Sequence, residues 1–270
     1  MIILESAGIT DVGRRRKGNE DSFFVDNDLK LYVVADGMGG HQAGEVASKL
    51  VVDTIREYMK RFKAGEILEE LKDVDESLSK QSNRLLASIH LANRVVNEIA
   101  NSKQAYKGMG STVSAVSFHN DNLIAANVGD SPIYLIRDNS IELLSTPHTV
   151  IAEQIAMDPE AAKQLGPEYS HMLTRAMGTN ETVEPDICEI QCFKGDIVVI
   201  SSDGLSDKVS PPEILEIAKK EQPEILVKKL VDLANERGGE DNITVIALSL
   251  KKVKRNRWGI FNFFSRVMGR

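Results

Sequence analysis

The chain is poor in cysteine, with only Cys188 and Cys192 in 270 residues. Both fall in ICEIQCF, where period-two alternation places Cys188, Ile190 and Cys192 on one face of a strand. No second Cys or His pair stands at ligand spacing, which excludes a zinc site of the usual kind and leaves two buried, reduced thiols. A reducing cytoplasm follows. Long apolar runs are missing as well. The N-terminal MIILESAGITD is too short in its hydrophobic stretch, and lacks the basic leader, to read as a signal peptide or a transmembrane segment. Basic excess is absent: Lys and Arg number 33 against 40 Asp and Glu, a net charge of -7. That balance argues against a chain built broadly to bind nucleic acid, and fits either carboxylates gathered around metal ions or plain surface solubility. Hydrophobic and charged fractions are ordinary, so the chain can bury a sizeable core as one large domain or two small ones.

What is present is organised around Leu31 to Gly44, LYVVADGMGGHQAG, where an apolar run ends abruptly in an aspartate and a cluster of glycines. An aspartate released from a buried strand into such a turn can offer both carboxylate oxygens, with neighbouring carbonyls, to a hard cation. An Asp-Gly pair after a strand is also an ordinary turn. The rest of the chain discriminates between the two.

Before this stretch, Ser6 to Asp26 reads as strand, turn and strand, with GRRRKGNED in the turn. The charged run is either a solvated loop or an anion-binding group, Arg16, placed a few residues from a cation-binding one, Asp21. After it, Gln42 to Phe62 carries apolar residues at helical spacing, and a second helix is expected from about Asp73 to Ser102. These stripes are core, with no cofactor motif in them. From Gly110 the period becomes two, and STVSAVSF, LIAANVG, IYLIRD and IELLS read as an antiparallel meander in which Asp130 ends a strand. Residues 145–172 form a helix-prone excursion broken by three prolines. Then a strand through ICEIQCF is followed by GDIVVISSDGLSD, where an apolar strand delivers Asp203. A helix opens at SPPE, with Ser210 as N-cap, Pro211 at the first position and Glu213 completing a capping box. One more helix, Glu224 to Arg237, precedes GGEDN, which offers Asp241 just before a last strand, ITVIALSL.

Asp21, Asp36, Asp130, Asp203 and Asp241 thus all lie at strand edges beside small or polar residues. Hard oxygen donors of this kind suit Mg²⁺ or Mn²⁺ rather than zinc, and five at matching positions are poorly explained as turns alone. The stretches TDVGRRRKGNEDS, VVADGMGGHQAGEVAS, GMGSTVSAV, NVGDS, HMLTRAMG with VEPD, VISSDGLSD and GGEDNITV occur in an order that resembles a bacterial metal-dependent Ser/Thr protein phosphatase of the PPM or type 2C family. The resemblance spans about residues 7 to 250.

It implies an α+β fold: a sandwich of two antiparallel sheets, each outer face covered by a pair of antiparallel helices. It implies one catalytic domain over 1–250, with 145–172 as a flap beside the cleft. Position by position, it implies that Asp36 bridges two Mn²⁺ or Mg²⁺ ions and that the Gly37 carbonyl binds one of them. Asp203 and Asp241 complete that side, and Asp21 and Glu20 lie on the other, partly through water. Asp130 and Asp203 hold a third, weaker ion. Arg16 matches the phosphate-binding arginine, and His41 is a candidate acid or a structural hydrogen-bonding group. The implied activity is hydrolysis of phosphoserine and phosphothreonine in proteins by a metal-activated water, opposing a Ser/Thr kinase in bacterial signalling. A cytoplasmic monomer is expected.

The chain departs from the family pattern at Met38, where eukaryotic relatives carry histidine, at GDSP (Pro132 for arginine) and at Pro147-His148 (an Asp-His pair elsewhere). Residues 251–270, KKVKRNRWGIFNFFSRVMGR, lie outside the resemblance with seven basic residues and no acidic one. They read as a segment touching anionic lipid or a partner groove, or as a basic extension or back-folded helix. Two other functions stand beside phosphatase activity. A silent relative acting as a binding module has no chemical need for clustered carboxylates. An aspartyl-phosphate phosphatase needs two aspartates one residue apart at a strand end, and none of the five candidate aspartates stands in such a pair.

Overall fold

The computed structural model describes residues 2–39, 43–66, 75–166 and 169–253. Within them the chain runs β1 (Ile2–Asp11), β2 (Asp21–Asp26), β3 (Leu31–Met38), α1 (Ala43–Lys63), α2 (Lys80–Ser102), β4 (Gly110–Ser111), β5 (Val113–His119), β6 (Asn122–Val128), β7 (Ile133–Arg137) and β8 (Ser140–Leu143). It continues through α3 (Val150–Met157), α4 (Pro159–Ala162), β9 (Asp186–Gln191), β10 (Ile197–Ser201), α5 (Asp203–Ser206), α6 (Pro211–Ala218), α7 (Pro223–Glu236) and β11 (Ile243–Val253). The strands form two antiparallel sheets, β1-β11-β10-β7-β8 and β2-β3-β5-β6-β9, with β4 paired to β3.

β3 is apolar at successive positions because both its faces are covered. Leu31, Val33 and Ala35 pack with Val51, Ile55, Leu85 and Ile89 of α1 and α2. Tyr32 and Val34 point the other way, into a core shared with Val198, Ile200, Ile246 and Leu248 of the second sheet. β10 and β11 repeat the pattern: Val199, Val245 and Ala247 meet Leu226, Leu230 and Val231 of α7. Three stacked cores make four layers, helices, sheet, sheet and helices, as the α+β expectation requires.

The period-two segments after Gly110 do not form one meander. β5 and β6 are a hairpin in the sheet of β3, whereas β7 and β8 are a hairpin in the other sheet. The crossover is Gly129 to Pro132. Gly129 sits at φ +103°, where a Cβ would lie 2.6 Å from the Thr112 methyl carbon. Pro132 has no N–H for a ladder, and its carbonyl accepts from the Ser201 N–H at 3.1 Å. Periodicity reports which residues face inward, not which sheet receives them.

Two boundaries also differ from the expected ones. α2 starts at Lys80 rather than near Asp73, because the Ser79 hydroxyl caps the Ser82 N–H and residues 75–79 are held as a turn by Asp75 and Asn83. β11 runs on to Val253, paired with Ile2, so three residues of the expected tail belong to the sheet. Lys251 there contacts Glu5 at 2.9 Å and Gln222 at 2.5 Å. Residues 254–270 lie outside the described residues. At α6 the Glu213 carboxylate accepts from the Ser210 N–H at 3.0 Å, as its spacing from Ser210 predicts.

Leu248 is fully buried between the sheets, so Leu248→Ala is expected to lower unfolding free energy by about 2–5 kcal/mol in urea titrations. Ile155→Ala, on the exposed α3, should stay within about 0.5 kcal/mol of wild type.

Candidate active site

Antiparallel register places Asp21, the first residue of β2, directly opposite Asp36 near the end of β3. The Asp36 backbone is held on both sides. Its N–H donates to Thr112 Oγ1 at 3.0 Å, and its carbonyl accepts from the Thr112 N–H at 2.8 Å and Ser111 Oγ at 2.9 Å. The other sheet supplies Asp203, the first residue of α5, and Asp241, just before β11. Asp130 lies in the crossover between the sheets. The cluster therefore stands at one end of the sandwich, fed from both sheets.

The approach is close enough to demand glycine at position 37. The Gly37 N–H donates to the Glu20 carbonyl at 3.0 Å, and a Cβ there would stand 2.1 Å from the Gly44 carbonyl oxygen. Asn242 fastens the β1–β2 loop to this arrangement. Its Oδ1 accepts from the Glu20 N–H at 2.8 Å, and its Nδ2 donates to the carbonyls of Val12 at 2.9 Å and Gly18 at 3.0 Å.

The carboxylates are raised in pKa together. Burial pushes Asp21 up to about 7 despite hydrogen bonds from Thr244 and Ser202, with the charges of Asp203 and Asp241 adding to the effect. Burial, then the charges of Asp21 and Asp203, hold Asp36 well above the usual carboxylate range, and burial raises Asp203 beside it. Burial and Asp203 raise Asp130 to about 7. Asp241 is differently placed: its Oδ2 accepts from Arg16 at 2.7 Å and its Oδ1 from the Asn242 N–H at 2.8 Å.

Arg16, Glu20, Asp36, Gly37, Asp130, Asp203 and Asp241 line one cleft of about 900 Å³. Asp21 sits beneath its floor, 7% exposed, with Oδ2 bonded to Ser202 at 2.8 Å and Thr244 at 2.7 Å. His41 lies outside the described residues. Neither cysteine is near: both pack in the core between the sheets.

This donor set fits divalent cations. It consists of carboxylate and carbonyl oxygens, and Asp21 Oδ1 and Asp203 Oδ1 are buried with no hydrogen-bond partner among the described residues. Buried charged oxygens without partners are costly unless a cation or a proton neutralises them.

A family model described as protein phosphatase 2C matches residues 13–238. The chain belongs to the protein phosphatase 2C family. A phosphatase 2C-type protein of Streptococcus pyogenes is 35% identical to it over 245 residues, covering 87% of this chain and 93% of its own length. The structure of the Mycobacterium tuberculosis serine/threonine phosphatase PstP/Ppp matches with a TM-score of 0.78 at 30% identity, covering 93% of this chain and all of that one. Another structure, the catalytic domain of PstP in complex with two manganese ions, matches equally well. The two-sheet α+β architecture of this phosphatase 2C chain is the fold of those structures.

Residues that sequence reasoning left unassigned complete the site. Ser202, Thr244, Thr112 and Asn242 position the carboxylates without facing the cleft as charges, and polar residues at strand ends carry no signal of that role. His171 approaches Asp203 at 3.8 Å and Asp207 at 3.8 Å. Ligand atoms of Asp130, His171 and Asp203 lie within 4.8 Å of one another, near enough to share one ion. The stretch HMLTRAMG contained His171, but only the fold brings it to the aspartates.

Because Asp21 and Asp130 titrate near 7 when folded, against an ordinary 3.8, the folded cation-free protein binds more protons than the unfolded chain between those values. Its stability therefore falls as pH rises through that window. The melting temperature of chelator-treated protein is expected to drop from about pH 5 to about pH 8, and Asp130→Asn should flatten the drop. Saturating Mn²⁺ should reverse it. A melting temperature that rises across the window contradicts the assignment.

Proposed function

We propose that the chain hydrolyses phosphoserine and phosphothreonine in protein substrates, with two Mn²⁺ or Mg²⁺ ions held by Asp21, Glu20, Asp36, the Gly37 carbonyl, Asp203 and Asp241. Asp130 and Asp203 hold a third, weaker ion with His171 beside them. The observation that carries this reading is the convergence of strand-end carboxylates from both sheets on one cleft, two of them with unpartnered buried oxygens. Bound divalent cations supply a lowered water pKa and neutralise phosphoryl charge.

The chain's own groups do the positioning. Asp36, clamped through Thr112 and Ser111, fixes the centre of the cluster to the end of β3. Arg16 uses one N–H on Asp241, and its remaining donors can take a phosphate bidentately at the cleft wall. No thiol lines the cleft among the described residues, consistent with direct attack by water rather than a cysteinyl-phosphate.

In this reading the catalytic domain, expected to end at 250, runs on to Val253 at the end of β11, 145–172 is its flap, and the protein works as a cytoplasmic monomer against a cognate Ser/Thr kinase in signalling. No helix among the described residues is long and apolar enough to cross a membrane. Both cysteines are free. The relatives supply the substrate class: PstP is named a serine/threonine phosphatase.

Phosphate release from a phosphothreonine peptide with Mn²⁺ tests the proposal. Asp36→Asn should lower kcat by at least about 100-fold, and Arg16→Ala should raise KM for the peptide. Full activity in Asp36→Asn, or in wild type after chelation, overturns it.

A further inference from the structure

The β1–β2 loop carries four consecutive cations, Arg14, Arg15, Arg16 and Lys17, all exposed. Only Arg16 belongs to the cleft wall. The side chains of Arg14, Arg15 and Lys17 make no hydrogen bond or ion pair with another side chain among the described residues. Many exposed cations elsewhere do find an acid, as Lys163 finds Glu160, Lys229 finds Glu221 and Arg237 finds Glu213. In a chain of net charge -7, a group of unpaired cations in one place calls for a reason.

The loop that presents them is fixed at both ends. The Arg14 and Arg15 N–H groups donate to the Gly239 carbonyl at 2.7 and 3.2 Å. Asp11 Oδ1 accepts from the Gly13 N–H at 2.8 Å and from Asn235 at 3.1 Å, while Asn242 ties Val12 to Gly18. Cations on a held backbone lose little loop freedom when an anion arrives. The carboxylate whose pKa Arg15 lowers is Glu240, and Glu240 accepts its hydrogen bond from Lys208 instead. The charge on the loop is therefore available to a partner.

Its position defines that partner. The carboxylates of the cleft floor are committed to cations and, through them, the phosphate, whereas the loop stands at the rim, one or two residues from the arginine that faces the phosphate. We propose that Arg14, Arg15 and Lys17 form a docking rim for acidic side chains of the substrate protein near its phosphorylated residue. This rests on the phosphatase reading and adds a sequence preference to it. An extended chain advances about 3.3–3.6 Å per residue, so acidic residues within about four positions of the phosphate fall under the rim. At about 0.1 M salt the Debye length is about 10 Å, so the preference is salt-sensitive.

The test compares kcat/KM, with Mn²⁺, for three phosphothreonine peptides flanked on both sides by Asp, Ala or Lys, alongside p-nitrophenyl phosphate. Wild type should favour the Asp peptide over the Lys peptide by about fivefold to tenfold, less at higher salt. Arg14→Gln/Arg15→Gln/Lys17→Gln should remove the preference, and Arg14→Glu/Arg15→Glu/Lys17→Glu should invert it. All three proteins should turn over p-nitrophenyl phosphate equally and share one unfolding transition. A wild type indifferent to flanking charge, a salt-independent preference, or an equal loss on all peptides in the variants overturns the rim. Retained turnover of p-nitrophenyl phosphate and the Ala peptide in those cases leaves the phosphatase reading standing, whereas no turnover in wild type sinks that reading instead.

Discussion

Carboxylates brought within reach of one another repel, and much of this structure serves to hold them together regardless. Asp21, Asp36, Asp130 and Asp203 each have raised pKa values, for which burial is the largest cause and a neighbouring aspartate a further one. Among the described residues no arginine or lysine forms an ion pair with any of the four: Arg16 gives its hydrogen bond to Asp241, and only its charge reaches Asp36. Neutral donors relieve only part of the burden: two hydroxyls reach Asp21 Oδ2 and leave Oδ1 bare. Such a site favours protons when cations are scarce and divalent cations when they are present. The repulsion is what makes it selective for positive charge.

Holding the cluster is a task shared between the sheets. β2 and β3 bring Asp21 and Asp36 from one, and the ends of β10 and β11 bring Asp203 and Asp241 from the other. Ser202 and Thr244 reach across to Asp21, and Asn242 reaches back to the loop before it. The packed core between the sheets, with Tyr32, Val34, Ile200 and Leu248, keeps these contributions in register. Tight packing resists the small displacements that repulsion would otherwise produce.

The aspartates were legible in the sequence because each marks the end or beginning of an apolar strand, where a charged residue interrupts a pattern. The four layers were less so, and rested on a resemblance rather than on periodicity. The crossover at Gly129 to Pro132 escaped notice because alternation looks identical whichever sheet receives the strand. His171 escaped because it lies at the far end of a long excursion and meets Asp203 only in three dimensions. Asn242 and Thr244 were invisible for a simpler reason: asparagine and threonine at a strand edge are commonplace, and only their distances distinguish them.

β11 lies between β1 and β10 and begins immediately after Asp241 and Asn242. Its pairing of Val253 with Ile2 joins the two extremes of the described chain. The β5–β6 hairpin can form among sequence neighbours, but this pairing must wait for a very long loop to close. In order of synthesis, Asp241 and Asn242 are the last of the site's residues to be made. A growing chain carries Asp21, Asp36, Asp130 and Asp203 well before it has the residues that tie down the arginine loop. During that interval β10 has an open edge and β1 has no partner, the condition in which a β-rich chain is most prone to pair with the wrong strand.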